Sequence, residues 1–425
     1  MKPQVSLRAS TRALAAVAVM VIFTSAAFSV TPKESVLYHF KGGTDGATPA
    51  AGLVADVLGN LYGTTTSGGT SNLGTVFEVS PPGTVWTETV LYNFAGGNDG
   101  ANPYGNLIFD KAGNLYGTTI SGGTSANCTG GCGTVFELSP PAAQGDPWTE
   151  AVLYSFAGQS DGANPYSGLI MDSKGNLYGT TQTGGGVSCG ATSCGTIFEL
   201  TPPAAQGDPW TETVIHAFGK GSDGTHPMAG LTFGLRGAIF GTTPTGNDKA
   251  ASGIVFKLKP PATQGGPWTE GVLYRFTGGT DGSGPNAALV VDRTGNLYGT
   301  TFGGGTGFGT IFEIAFDTWT ETVLYNFTGG SDGASPAAVL LRDKADNLYG
   351  TATAGGTNNN GSAFELSPPA AQGDPWTETT LYDFLGGHDG SLPQAGLIFG
   401  KGGQLYGTTS LGGGPTDGTV FRIIH

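Results

Sequence analysis

A segment of the form GGxDG, or a close variant of it, recurs seven times along the chain, and each copy contains an aspartate directly before a glycine. Carboxylates grouped with backbone carbonyls are ligands that Ca²⁺ prefers, so such a set on one face of a fold would form a calcium site. Asp-Gly also suits a turn in which the carboxylate accepts backbone N–H groups. The pattern favours the turn, and Ca²⁺ is the only cofactor that it suggests. The seven residues are Asp45, Asp99, Asp161, Asp223, Asp281, Asp332 and Asp389.

A second group of residues differs from segment to segment. A proline follows each of these aspartates a few residues later in the same segment. The residue directly after this proline is Tyr104, Tyr166 or Met228 in three successive segments. His226 lies two positions before Met228. Aromatic rings at a wet surface suit stacking on sugar rings or peptide side chains. These four residues are therefore candidate ligand-binding side chains, and packing under the loops is the alternative.

The motifs of common enzymes are absent or accidental. GGSDG at 329–333 matches G-x-S-x-G, but the same slot reads GGTDG at 42–46 and GGNDG at 96–100. GKGSDG at 219–224 matches G-x-G-x-x-G, but no helix can follow it to bind a phosphate. No catalytic residue is identified, and the sequence favours a protein that is not an enzyme. A propeller glycoside hydrolase or lyase is the alternative, which requires an asymmetric pair of carboxylates or a His/Arg/Tyr set.

Four cysteines form two close pairs, Cys128 with Cys132 and Cys189 with Cys194. In an exported chain such pairs predict local disulfides. A zinc site is the alternative, but both spacings are wrong for it and no histidine lies nearby.

The elements that must position these residues are repeats. The segment V-L-Y-x-F or a variant of it occurs seven times, 51 to 62 residues apart. One full copy contains four apolar segments of strand length, NLIFD at 106–110, LYGTT at 115–119, GTVFELSP at 133–140 and WTEAVLYSF at 148–156. Gly, Pro, Asn or Asp bounds each segment, and D-x-x-G-N suits a tight hairpin.

Four antiparallel strands repeated seven times predict an all-β fold, a seven-bladed β-propeller. A β-solenoid is the competing repeat fold. The segment at 34–40 is a fourth-type strand without a preceding blade, and the last copy, 395–425, lacks its fourth strand. We therefore expect the N-terminal strand to complete the last blade and close the ring, which removes exposed sheet edges. Residues 30–425 then form one domain.

The strand order places the loops. First-type strands line the channel, and the GGxDG links share one face with the glycine-rich loops that follow LYGTT. The tight turns and the SPPAAQGDP-type loops share the other face. The glutamate of the WTE motif recurs in all seven copies, and we interpret it as a structural hydrogen-bonding residue.

The remaining features concern location and partners. Residues 1–29 combine a basic start, an apolar stretch and small residues before a cleavage site, which predicts a signal peptide. An uncleaved anchor is the alternative. We expect a secreted, periplasmic or cell-surface protein, monomeric and without a membrane span after cleavage. The formal net charge is −14 and basic patches are absent, so nucleic acid is not an expected partner.

The repeat resembles the GloVer (Gloeo–Verruco) tandem-repeat family of exported bacterial proteins. The resemblance rests on GLIxDxxGNLYGTT, GTVFELxP and WTETVLYxFxGGxDG, and it covers residues 35–425. It implies a repeat protein of the cell exterior without an assigned activity, and it supplies no catalytic residues. We therefore expect a binding or scaffold protein that recognises a glycan, a peptide or a surface partner through the face bearing the DG links. A purely structural surface module is a further alternative.

Overall fold

The computed structural model describes residues 32–81, 85–143, 145–189, 192–205, 207–221, 223–246, 252–263, 265–371, 373–414 and 417–425, with the side chains of 188, 189 and 192 excepted. The predicted signal peptide lies outside the described residues. None of the described residues belongs to a helix that is long and apolar enough to cross a membrane.

Each repeat folds into an antiparallel sheet of four strands, named inner, second, third and outer from the channel outward. The inner strands are Val54–Ala55, Ile108–Phe109, Ile170–Met171, Thr232–Phe233, Val290–Val291, Leu341–Arg342 and Ile398–Phe399. The second strands are Leu61–Thr65, Leu115–Ser121, Leu177–Thr181, Ile239–Thr243, Leu297–Thr301, Leu348–Ala352 and Leu405–Thr409.

The other two strands of each sheet lie farther from the axis. The third strands are Thr75–Ser80, Thr134–Ser139, Thr196–Thr201, Ile254–Lys259, Thr310–Ile314, Ser362–Ser367 and Thr419–Ile424. The outer strands are Thr87–Asn93, Thr149–Ser155, Thr211–Ala217, Thr269–Arg275, Glu321–Asn326, Thr377–Asp383 and Lys33–His39. We number the blades 1 to 7 by their inner strands, from Val54–Ala55 to Ile398–Phe399.

Shorter elements decorate this framework. The additional strands are two or three residues long. They are Ala101–Pro103, Ser188–Cys189, Thr192–Ser193, Gly224–Thr225 and Thr245–Gly246. Three-residue 3₁₀ turns are Gly43–Asp45, Gly97–Asp99 and Leu235–Gly237.

The ring closes as the sequence predicts. The N-terminal strand Lys33–His39 pairs with the third strand of blade 7, with Val36 opposite Phe421. The last blade therefore takes three strands from the end of the chain and one from its beginning. The fold is a seven-bladed β-propeller, and the prediction is confirmed.

Phenylalanine rings join neighbouring blades. A Phe directly follows each outer strand. It packs edge-on against the Phe in the third strand of the next blade, as Phe94 packs on Phe136 with ring centroids 5.2 Å apart. Both rings of this pair are fully buried. The same pair occurs at all seven junctions, including Phe40 with Phe77 across the closure. Burial of these apolar rings therefore holds the ring together.

The glycine of LYGTT makes room for this ring. A Cβ built on Gly117 would lie 2.5 Å from Cζ of Phe136. The corresponding glycine faces the corresponding phenylalanine in every blade. Glycine is required there because the aromatic ring occupies the space of a side chain.

A β-bulge explains why V-L-Y does not alternate between the two faces of the sheet. The register of most outer strands shifts between the Val and the Tyr, as at Val152 and Tyr154; in two blades the shift falls between Val214 and His216 and between Thr380 and Tyr382. The residue between them is unpaired in the ladder. All seven outer strands carry this shift.

The tight turns form as predicted from D-x-x-G-N. Oδ1 of Asp110 accepts the backbone N–H groups of Ala112 and Asn114, at 2.8 and 2.9 Å. Oδ2 accepts the side-chain amide of Asn114 at 2.9 Å. The aspartate thus satisfies backbone donors that a short hairpin leaves unpaired.

Cys128 and Cys132 form a disulfide, as predicted, which excludes zinc binding by this pair. Cys194 is also disulfide-bonded. The side chain of Cys189 lies outside the described residues, so its pairing stays a prediction.

Candidate functional site

A cavity of about 690 Å³ occupies the central channel. All seven inner segments contribute to its lining, which confirms that first-type strands face the channel. Its volume lies within the ~300–1,000 Å³ that is common for small-ligand sites. Several links pair with residues just after the second strands, for example Ala47 with Ser67 and Ala334 with Ala354. The links and the glycine-rich loops therefore share one face, which we call the loop face.

The structure brings Tyr104, Tyr166 and Met228 together in this lining. The rings of Tyr104 and Tyr166 lie 4.3 Å apart between centroids, with an angle of 44° between their planes. The sequence predicted this aromatic patch on successive blades, and the geometry matches it. Whether the patch binds a ligand stays a prediction.

One side of the mouth is fixed by hydrogen bonds. The hydroxyl of Tyr104, in blade 2, donates to Oε1 of Gln394, in blade 7, at 2.9 Å. This bond spans blade 1, where the equivalent residue is Ala50. Nε2 of Gln394 in turn donates to Oγ of Ser410 at 2.9 Å. Burial and the nearby Tyr166 raise the pKa of Tyr104 above its ordinary value, so its hydroxyl remains protonated and available to donate.

The side of the mouth formed by blades 5 and 6, which we call the open side, carries different groups. Phe302 lines the cavity although 47% of its surface is exposed. Asn286, in the same blade, also lines the cavity, and its Oδ1 is buried without a hydrogen-bond partner among the described residues. Thr353 of blade 6 completes this side.

Sequence reasoning missed Phe302 and did not select Asn286. A comparison of the position after each LYGTT-type strand would have found the first. That position reads Thr66, Ile120, Gln182, Pro244, Phe302, Thr353 and Ser410, so blade 5 alone carries an aromatic ring there. No pattern in the sequence indicates that Oδ1 of Asn286 lacks a hydrogen-bond partner among the described residues.

His226 lies in the link before Met228 and outside the residues that line the cavity. Its backbone has a positive φ of 54°, and its N–H donates to the carbonyl of Cys194 at 2.7 Å. Burial lowers the pKa of its imidazole. The backbone of His226 therefore connects adjacent blades, while its side chain does not join Tyr104 and Tyr166.

The seven DG aspartates are engaged within the links. Each accepts the backbone N–H of the residue four positions earlier, as Asp332 accepts from Thr328 at 2.7 Å. In six links the outer-strand tyrosine also donates its hydroxyl to the aspartate. In the other link His216 replaces the tyrosine, with Nε2 at 3.3 Å from Oδ2 of Asp223. These contacts are those of the predicted turn.

The structure groups no three His, Cys, Asp or Glu side chains as a metal site within its described residues. Calcium binding by the aspartate ring stays a prediction.

Each WTE glutamate lies beside a link aspartate rather than in a full hydrogen-bond network. Six of them, such as Glu150, have a buried Oε1 without a partner in the described part of the chain. Burial and the nearby Asp99 raise the pKa of Glu150 to about 7. The interpretation of these residues as structural hydrogen-bonding groups is thus incomplete, because a protonated carboxyl is favoured next to the aspartate.

The described lining of this cavity can contact a ligand only through uncharged groups. Among the described residues that line it there is no Asp, Glu, Lys, Arg, His or Cys. Hydrolysis of a glycoside by the usual route needs a pair of carboxylates, and the lining does not provide one. Amide, hydroxyl, aromatic and small apolar groups remain.

The ring of four-stranded blades, with a closing N-terminal strand and a lined central channel, defines a β-propeller protein of tandem repeats. The chain belongs to the Gloeobacter/Verrucomicrobia repeat family, whose model matches residues 21–248 and 187–421. This confirms the resemblance that the repeat motif indicates. No curated protein sequence matches the chain.

Several solved structures have a similar shape. A Bacteroides uniformis protein provisionally assigned as a 6-phosphogluconolactonase is 15% identical, with 82% of this chain and 88% of that chain covered and a TM-score of 0.49. A gluconolactonase from Xanthomonas campestris is 15% identical, with 76% and 87% covered and a TM-score of 0.41.

A third similar structure is PorZ, a bacterial surface component of the type-IX secretion system of Porphyromonas gingivalis. It is 15% identical, with 90% of this chain covered and a TM-score of 0.48. This chain spans only 47% of the PorZ chain. At such low identities and TM-scores these likenesses carry no argument about activity.

Proposed function

We propose that this protein is an exported binding protein that takes up an uncharged ligand at the loop-face mouth of its channel. The observation that carries the proposal is the asymmetry of the mouth. Most of the chain repeats seven times, but Tyr104, Tyr166, Asn286, Phe302 and Gln394 do not, and all five line one cavity. A group present in every blade serves the fold, whereas side chains that differ at one mouth are free to serve a ligand.

Preorganisation supports binding at this place. Tyr104 is held between the ring of Tyr166 and the amide of Gln394. A ligand that contacts these rings does not have to order them, which reduces the entropic cost of binding. The Cys128–Cys132 disulfide and the signal-type N-terminus support export, because disulfides persist in oxidising compartments.

The uncharged lining also supports binding over catalysis. General acid–base chemistry needs a titratable group within hydrogen-bond reach of the reacting atoms. The described lining contains tyrosine hydroxyls as its only titratable groups, and burial raises the pKa of Tyr104 further from neutral pH.

Arrays of glycans and of peptides, probed with the intact chain in the presence and absence of Ca²⁺, would test the proposal. We expect retention of at least one uncharged class, and loss of that retention in a Tyr104→Ala/Tyr166→Ala double variant that keeps the melting temperature of the wild type. Retention that the double variant does not change would place the ligand elsewhere. No retention on any array would favour a purely structural module. Binding only with Ca²⁺ would support a role for the aspartate ring.

A further inference from the structure

We propose that the open side of the channel mouth is a carbohydrate subsite, where a neutral sugar ring lies on Phe302 and one of its hydroxyls donates to Asn286. This inference rests on the proposed function, because it assigns the ligand class of the same channel mouth. Both residues belong to blade 5, and both line the cavity.

Phe302 is placed to be a stacking surface. Its backbone N–H donates to the carbonyl of Gly284 at 3.1 Å, which holds it over the link that leads to Asn286. The rings of the interblade phenylalanines are fully buried, whereas 47% of the surface of Phe302 is exposed. An exposed ring at a wet cavity mouth can cover the apolar C–H face of a sugar and remove both surfaces from water.

Asn286 provides the polar counterpart. Its Oδ1 is buried, and no described residue donates to it. An unpaired buried acceptor is unfavourable, so a site that contains one gains from a donor supplied by a ligand. A sugar hydroxyl is such a donor. Thr353 lies in the same lining, and its own hydroxyl donates to the carbonyl of Ser335 at 2.8 Å.

The absence of charge in the described lining defines which sugars fit. A uronate, a sialic acid or a sugar phosphate would lose the hydration of its anion in the cavity without gaining a cation. A cationic amino sugar would likewise find no carboxylate. The subsite therefore selects uncharged sugars.

A peptide is a poorer occupant because six inner segments each have a carbonyl that already accepts a hydrogen bond from the neighbouring blade. An extended peptide binds a sheet edge through free N–H and C=O groups. In six blades a threonine of the second strand donates its hydroxyl to a carbonyl of the neighbouring inner segment, as Thr118 does to Ser167 at 2.9 Å. The links also pair with the ends of the second strands or with residues just after them. Side-chain amides, hydroxyls and rings remain as the groups for recognition.

Titration calorimetry on the intact chain would test the subsite. The probes are neutral tetrasaccharides of glucose, mannose, galactose and xylose, the anionic tetragalacturonate, and an uncharged peptide library of Gly, Ala, Ser and Thr. The variants are Phe302→Ala, Asn286→Leu and, as a matched control, Phe308→Ala. Phe308 is exposed to a similar extent, 42%, in the same glycine-rich loop, but it does not line the cavity.

We expect at least one neutral tetrasaccharide to bind and tetragalacturonate to bind at least about tenfold more weakly. Phe302→Ala should weaken binding of the neutral sugar by about tenfold, and Asn286→Leu by several-fold, whereas Phe308→Ala changes it less than about twofold. Deletion of the sugar hydroxyl that meets Asn286 should weaken wild-type binding and have no further effect in Asn286→Leu.

The other outcomes separate the two proposals. Equal binding of tetragalacturonate overturns the uncharged subsite. Binding of a peptide that depends on Tyr104 and Tyr166, with no sugar bound, overturns the carbohydrate subsite but leaves the proposed function standing. Sugar binding that Phe302→Ala and Asn286→Leu leave unchanged overturns the assignment of residues. If neither a sugar nor a peptide depends on any lining residue, both proposals fail. Melting temperatures equal to that of the wild type exclude misfolding of the variants.

Discussion

At the scale of single residues, aspartate has two different structural roles in this propeller, one in the tight turns and one in the links. The aspartate of a tight turn accepts groups of that turn and the hydroxyl of the second-strand tyrosine, as Asp110 does from Tyr116 at 3.3 Å. The aspartate of a link, such as Asp161, accepts the backbone N–H of Ala157 at 2.6 Å and the hydroxyl of Tyr154 from the preceding outer strand at 3.1 Å. The link aspartate thus attaches the outer rim of one blade to the entrance of the next.

Removal of one tyrosine hydroxyl tests this attachment. Tyr154→Phe leaves the ring packed on Phe156 but deprives the buried Asp161 of a donor. We expect the free energy of unfolding to fall by about 1–2 kcal/mol, measured by urea denaturation. Tyr406→Phe is the control, because Gly400 stands in the tight turn of that blade where five other blades have an aspartate. An equal loss in both variants would show that the aspartate contact is not the cause.

At the scale of elements, the second strand is the most constrained. It contributes a glycine that faces a phenylalanine ring of the third strand, and its neighbours Leu115 and Tyr116 are buried on either face. Bulges in the outer strands turn V-L-Y so that both faces can pack between blades. The aromatic residue at the start of most outer strands packs on the preceding blade, as Trp148 does on Tyr62 with centroids 6.3 Å apart.

Two glycine substitutions separate a required glycine from a replaceable one. Gly117→Ala places a methyl group against the ring of Phe136, so we expect a loss of about 1–3 kcal/mol in the free energy of unfolding. Gly271→Ala, in an outer strand, meets nothing within 4 Å and should be neutral or stabilise by about 0.5–1 kcal/mol. Chemical denaturation of both variants checks the pair. A reversed order would contradict the packing described for the second strand.

The closing blade shows how an element is replaced when the motif is incomplete. Pro32 stands where the other copies have a tryptophan. The tyrosine that would receive this tryptophan, Tyr349, instead lies against His425, with ring centroids 5.2 Å apart. The imidazole ring of His425 thus fills part of the space that a tryptophan ring would occupy beside Tyr349.

At the scale of the whole molecule, stability depends on closure. Phe40 follows the closing strand, is fully buried and packs on Phe77 of blade 1, with centroids 5.0 Å apart. Phe40→Ala should reduce the free energy of unfolding by about 3–5 kcal/mol. Phe94→Ala, at an internal junction, is the matched variant. We expect similar equilibrium losses but faster proteolysis of the seam variant, because the closing strand is held to the other three strands of blade 7 only by non-covalent pairing. Equal proteolysis rates would argue against the seam as the weakest junction.

The interblade carboxyl pairs give the whole ring a pH dependence. Burial and nearby aspartates raise the pKa of Glu34, Glu150, Glu212, Glu321 and Glu378 from 4.5 to about 7, and that of Glu88 to about 8. The folded state therefore binds more protons than the unfolded state between pH 4.5 and about 8. Stability must fall as the pH rises through that window. The lowered pKa values of His39 and His226 act in the opposite direction near pH 6, but these are two groups against six.

Urea denaturation at pH 5 and pH 8 measures this effect. We expect the wild type to be less stable at pH 8, and Glu150→Gln to lose less between the two pH values, because glutamine mimics the protonated carboxyl beside Asp99. Glu137→Gln, in a third strand and one register position away, is the control. A pH dependence unchanged in Glu150→Gln would contradict a raised pKa of Glu150.

The sequence by itself determined the repeat, the strand order and the closure, because each depends on local turn chemistry and on apolar segments that recur in register. D-x-x-G-N predicts its own hairpin, and the incomplete first and last copies predict each other. It also placed Tyr104, Tyr166 and Met228 on successive blades, which puts them at one mouth of any such ring. Only the tertiary structure decided which side of that mouth is closed and which is open. The bond from Tyr104 to Gln394 joins residues 290 positions apart in the chain. The Oδ1 of Asn286, to which no described residue donates, the exposed ring of Phe302 and the carboxyl pairs between blades likewise depend on distances across the ring, which no local pattern in the sequence records.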